Sequence, residues 1–121
     1  MPSLEELSKK QCEACHGDAQ ALPSAKVNEY LPSLPGWELS ADGKSIARPF
    51  FMKDFLSAVR LIQRIAEIAE AQDHHPDIHL TGYRKLKIEL STHAIGGLSE
   101  NDFILAAKIE TLPKELKEQK K

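Results

Sequence analysis

Apolar and polar positions alternate most regularly over residues 84–92, where Leu86, Ile88 and Leu90 interleave with Lys85, Lys87, Glu89 and Ser91. A period of two is that of a strand with one buried and one wet face. Residues 78–81, across Gly82, read as a second strand. Over residues 52–71 the period lengthens: Phe55, Val59, Ile62, Ala66 and Ala69 recur at helical spacing with Ile65 beside them. Lys53, Arg60, Arg64, Glu67 and Glu70 fall elsewhere, so the pattern predicts a long helix with that apolar stripe toward the core. Residues 37–40 and 45–50 flank Ala41-Asp42-Gly43-Lys44, and Asp-Gly between two strand-like runs is a hairpin signal. Pro49 then belongs at a strand end or on a sheet edge.

The remaining elements are short or set by caps. Ser3-Leu4-Glu5-Glu6 has capping-box spacing and opens a short helix at Leu4. Ser24 caps another over residues 25–31, which Pro32 and Leu34-Pro35-Gly36 stop. Ser99, with Asp102 three residues on, opens a helix through Phe103, Leu105, Ala106, Ile109 and Leu112, ended by Pro113. Residues 114–121 read as a solvated, frayed tail. Each strand pair offers one apolar face and each main helix one apolar stripe, so the expectation is an α+β fold, antiparallel strands with helices packed on one sheet face. An exposed sheet edge would favour a symmetric dimer.

Composition narrows the function classes. The 121 residues suit one domain, and a net charge of −2 with dispersed basic residues lacks the footprint of a nucleic-acid binder. No apolar run approaches membrane-spanning length, and residues 1–10 are acidic and polar rather than leader-like, so a soluble, cytoplasmic protein is expected. Cys12-Glu13-Ala14-Cys15-His16 spells the string of covalent haem attachment. That chemistry needs export, a thioredoxin-like pair needs a strand-to-helix junction, and zinc needs further ligands. Reduced cytosolic thiols are the default expectation.

Chemistry concentrates in residues 73–102. Pro76 biases His75 toward extended backbone, so His74 and His75 lie just past the end of the long helix. His93 leaves the second strand and, if that strand persists, shares its wet face with Glu89 and Ser91. A satisfied strand histidine and a helix-capping Asp102 are the plainer readings, and His79 has no evident role. A metal site is disfavoured, because neighbouring extended residues point to opposite sides and His74 to His79 spans a proline. Metal-free acid–base chemistry remains, since imidazole gives and takes protons near neutral pH. No nucleophile elbow, phosphate loop or cofactor fingerprint occurs.

Asp73-His74-His75-Pro76, Tyr83, Leu90-Ser91-Thr92-His93 and Gly97-Leu98-Ser99-Glu100-Asn101-Asp102 together resemble the signature of the pterin-4a-carbinolamine dehydratases. Leu34-Pro35-Gly36-Trp37 and Phe51-Met52-Lys53-Asp54-Phe55 resemble that family's earlier landmarks, and Cys12-Glu13-Ala14-Cys15 the start of its bacterial members. The likeness covers residues 24–112, the core of one domain over residues 1–121. It implies a four-stranded antiparallel sheet covered by helices. It also implies a hydro-lyase converting 4a-hydroxytetrahydropterin to quinonoid dihydropterin, which recycles the pterin of aromatic amino acid hydroxylases such as phenylalanine hydroxylase. By position it makes His74, His75, His93 and Asp102 catalytic. Asp73, His74, His75, Ser91, Thr92, His93 and Ala94 would line the pterin, which is substrate, with neither cofactor nor metal. A homodimer or homotetramer is implied. Tyr83 belongs to the motif without an assigned role. Ile78 and Ala94 depart from animal relatives, which carry an aromatic and an acidic residue there. The rival reading is a non-catalytic dimerisation, assembly or transcriptional cofactor of the same fold.

Overall fold

The alternation at residues 84–92 builds the middle of a sheet. In the computed structural model, which describes residues 3–12 and 21–117, strands β1 (Glu38–Leu39), β2 (Ile46–Phe51), β3 (Asp77–Thr81) and β4 (Lys85–Leu90) run in the order β1-β2-β4-β3. Every neighbouring pair is antiparallel. Leu86, Ile88 and Leu90 are buried, and the register sets Phe50 opposite Leu86 and Ile46 opposite Leu90, so one face of the sheet is continuous core. Asp77, His79, Thr81, Lys85 and Lys87 lie exposed on the other face. The predicted α+β arrangement therefore holds, with the helices on the apolar face.

Pro49 lies inside β2, yet no ladder is broken. β1 pairs only with Ile46 and Ala47, and residues 115–117 return beside residues 51–53, with Lys117 N–H on the Phe51 carbonyl at 2.7 Å and Lys53 N–H on Glu115 at 2.9 Å. Pro49 falls in the gap between these two partners, where its missing N–H costs nothing. The expected frayed tail is corrected for these residues; residues 118–121 lie outside the described part.

The long helix, α3 (Phe55–Gln72), starts three residues later than the periodicity predicts. Asp54 and Ser57 close a reciprocal capping box, and Met52 is extended and fully buried. Its buried face also differs: Ser57, Ala58, Leu61, Ile65 and Ala69 face the core, while Phe55, Val59 and Ala66 are exposed. Two apolar stripes lie side by side on this helix, and periodicity alone cannot choose between them.

Helix α4 (Glu100–Glu110) is buried almost all round, and α1 (Leu4–Lys9) packs along it. Ser3 and Glu6 form the predicted capping box of α1, and Leu7 is its fully buried anchor. At its far end Glu110 accepts the Trp37 indole N–H at 2.8 Å and pairs with Arg48, tying α4 to β2. Helix α2 (Ser24–Tyr30) takes Ser24 into its first turn and is preceded by Pro23, so Ser24 is not the cap the sequence suggested.

Candidate active site

The site begins where α3 stops. Asp73 adopts the left-handed conformation, φ 51°, with its N–H on the Glu70 carbonyl at 3.3 Å, and the His74 N–H reaches the Ala69 carbonyl at 3.2 Å. These two bonds make a Schellman ending, with Asp73 where glycine is usual. The chain reverses sharply, and Pro76 keeps the next residues extended into β3.

Neighbouring extended residues point to opposite sides, and the two histidines separate accordingly. His74 turns inward, its Nε2 2.6 Å from Oδ1 of the fully buried Asp102. His75 turns outward, its Nε2 2.9 Å from Oε1 of Glu70, one turn back on α3. This side chain is about half exposed.

Asp102 collects donors from three parts of the chain. Thr92 Oγ1 donates to its Oδ2 at 2.8 Å and the Ser99 N–H at 2.9 Å, leaving Oδ1 to His74. Because Thr92 gives its proton to Asp102, the Ser99 hydroxyl donates in turn to Thr92 Oγ1, 2.8 Å away. A carboxylate without solvent exposure needs such donors to stay ionised. The helix-cap reading of Asp102 is therefore correct and incomplete. Because a carboxylate oxygen can only accept, the His74 Nε2 is the donor of this bond.

Thr92 is placed by backbone. β4 ends at Leu90, and Thr92 N–H donates to the Gly97 carbonyl at 2.8 Å, pinching off a 3₁₀ turn, His93–Ile95. A side chain on Gly97 would collide with Ala21, since a Cβ there would sit 2.9 Å from that residue's Cβ. His93 thus opens a turn instead of continuing the strand, so the parity that would set it beside Glu89 and Ser91 does not apply. Ala94 is exposed.

A cleft of about 350 Å³ opens beside Ser91 and Thr92, closed by Gly96 and Gly97, by Asp77 and Glu89 of facing strands, and by Asp42, Lys44 and Ser45 of the hairpin. Of these residues the sequence assigned Ser91 and Thr92 alone to the pterin, placed Glu89 beside Ser91 by parity without a role, and counted Gly97 in the family string; nothing local points the hairpin residues to the cleft. Tyr83 sits at the opposite end of the β3–β4 hairpin, at φ 56°, in a turn position. His79 is on the outer sheet face, 3.8 Å from Glu89. Just before Asp102, Glu100 accepts the Tyr30 hydroxyl at 2.7 Å. Burial, with that carboxylate beside it, pushes the phenol up to about 12, while the Tyr30 hydrogen bond holds Glu100 below the usual carboxylate range.

Among the described residues no group of three or more His, Cys, Asp or Glu side chains is arranged to hold a metal ion. Cys15 and His16 of the haem-like string lie outside the described part. Among the described residues no helix is long and apolar enough to cross a membrane.

Residues 20–112 match the family described as Pterin 4 alpha carbinolamine dehydratase. The chain is 45% identical over 113 residues to pterin-4-alpha-carbinolamine dehydratase 2, mitochondrial, of Arabidopsis thaliana, covering 91% of this chain and 60% of the plant protein. It thus spans less than two thirds of that relative's length. A Nitrosospira multiformis protein, named provisionally as a dehydratase of this kind, is 42% identical, covering 91% of this chain and 95% of its own. The crystal structure of a transcriptional coactivator/pterin dehydratase from Brucella melitensis superposes with a TM-score of 0.71 at 33% identity, covering 75% of this chain and 96% of that one.

Proposed function

The chain belongs to the pterin-4a-carbinolamine dehydratases, a family of hydro-lyases, and on that premise we propose that it dehydrates a 4a-hydroxytetrahydropterin to the quinonoid dihydropterin by histidine acid–base catalysis. The bond from C4a to the hydroxyl oxygen breaks, that oxygen takes one proton to leave as water, and N5 gives one up. One protonated and one neutral imidazole suffice for both transfers.

The observation that carries this reading is the contact between His74 and buried Asp102, closed by Thr92 from the segment that ends at His93. Asp102 orients His74. His75 and His93 are the remaining acid–base candidates, with Asp73 and residues 91–94 lining the pterin. The product would return to the cofactor pool of an aromatic amino acid hydroxylase.

Synthetic carbinolamine, followed by stopped flow, tests the activity directly. His75→Ala and His93→Ala should each lower turnover by about a hundredfold with the fold intact. Unchanged dehydration in both variants removes the histidine mechanism.

A homo-oligomer belongs to the same reading. Phe55, Leu56 and Val59 form an exposed apolar stripe at the start of α3, and β3 is an edge strand. The stripe would equally serve the cofactor-module alternative. Leu56→Glu, followed by light scattering, should lower the molecular mass in solution; an unchanged mass excludes the stripe as the contact.

A further inference from the structure

The pair His74 and Asp102 forms between two helix ends, the last turn of α3 and the first turn of α4, so its geometry depends on how those ends are held together. A segment ahead of the family match grips both. Helix α1 is fixed along α4 by buried Leu7 and by Lys108, which donates to the Ser8 carbonyl at 2.8 Å. Its continuation, residues 10–12, then reaches the site. Lys10 pairs with Glu100 at 3.1 Å, and Cys12 Sγ lies 3.7 Å from the carbonyl oxygen of Asn101, the residue before Asp102. On the α3 side the Cys12 N–H donates to Gln72 Oε1 at 2.7 Å, and Gln72 Nε2 donates to Gln11 Oε1 at 2.8 Å. Gln72 is the last residue of α3, directly before left-handed Asp73 and two before His74.

We infer that residues 3–12 are a positioning strap for the pterin site, and that Gln72 is the positioning residue through which they act. The inference rests on the dehydratase reading for its catalytic consequence. A strap needed for stability alone could dock anywhere along α4. This one bridges the same two helix ends that the histidine–carboxylate pair bridges. The Gln72 side chain bonds to residues 11 and 12, and Gln72 ends the helix at the reversal from which His74 emerges.

The test uses the full chain with Gln72→Leu, which removes both hydrogen bonds, and Gln72→Glu, which keeps an acceptor for the Cys12 N–H and lets the Gln11 amide turn to donate. Lys10→Ala loosens the strap from the α4 side should Gln72→Leu fold poorly. Gln72→Leu should speed hydrogen exchange in residues 3–12, weaken the NMR signal of the His74 Nε2 proton, and lower kcat about tenfold with KM little changed. Gln72→Glu should restore most of each. A strap that stays docked in Gln72→Leu overturns the inference, as does a released strap that leaves the His74 signal and kcat at parental values. Exchange and the imidazole signal are read without substrate. An inactive parent protein would therefore sink the dehydratase reading while leaving these two readouts to judge the strap.

Discussion

His74 Nε2 and Asp102 Oδ1 stand 2.6 Å apart, a contact between residues 28 positions apart in the chain, made where solvent does not reach the carboxylate. Charge-assisted hydrogen bonds of this kind are short and stronger than neutral ones. Here the bond fixes the ring of one histidine while its neighbour, His75, is left half exposed on Glu70.

Asp102→Asn keeps the shape and one carbonyl oxygen but loses the negative charge. It should lower kcat/KM by about thirtyfold or more, since the ring loses the partner that sets its tautomer. The pH–rate profile of the variant should move relative to the parent, and an unchanged profile and rate would exclude a role for this pair.

Thr92→Val is close to isosteric and removes only the hydroxyl between Ser99 and Asp102. Leaving a buried carboxylate one donor short should cost about 1–3 kcal/mol of stability in urea unfolding. Activity should fall with it, because Asp102 is freed to turn away from His74.

Asp73 pays the steric cost of a left-handed residue that glycine would avoid. Asp73→Gly should raise unfolding stability by up to about 1 kcal/mol. The same change should raise KM if the carboxylate meets the pterin, so a more stable protein that binds substrate less well is the expected outcome.

Tyr30 and Glu100 predict opposite edges of a stability profile. Glu100 is held below its ordinary value chiefly by the Tyr30 hydrogen bond, so its contribution is present above the ordinary carboxylate value and is lost as pH falls through the lowered one. The Tyr30 phenol is raised to about 12, so its contribution is full below about 10 and is lost as pH rises toward 12. Tyr30→Phe should cost about 1 kcal/mol at pH 7, with a smaller difference from the parent at pH 3.5. Chemical unfolding at the two pH values checks this.

The two apolar stripes of α3 can be told apart by truncation. Leu61→Ala should cost about 2–5 kcal/mol, as a core cavity does, whereas Val59→Ala should leave monomer stability nearly unchanged.

Local patterns were enough for much of the fold. The period of two in residues 84–92 gave β4 its buried face, Asp42-Gly43 marked the hairpin, and Ser3 and Ser99 marked helix starts, because each signal is written within a few neighbouring residues. The choice between stripes on α3 failed for the opposite reason. Phe55 and Val59 are as apolar as Leu61 and Ile65, and only the sheet across from them decides which set is buried. The all-round burial of α4 was hidden likewise, since α1, which packs along it, comes from the far end of the chain.

By itself the sequence determined which residues could do chemistry: paired histidines held extended by Pro76, an acid in the first turn of a helix, and the family these strings belong to. Those are properties of composition and short spacing. Tertiary structure decided how they are used. It sent His74 inward to Asp102 and His75 outward to Glu70, made Thr92 and Ser99 donors to the same carboxylate, and brought residues 10–12 against both helix ends. Hydrogen bonds and burial depend on distances through space between segments that only folding brings together, and no local pattern encodes those distances.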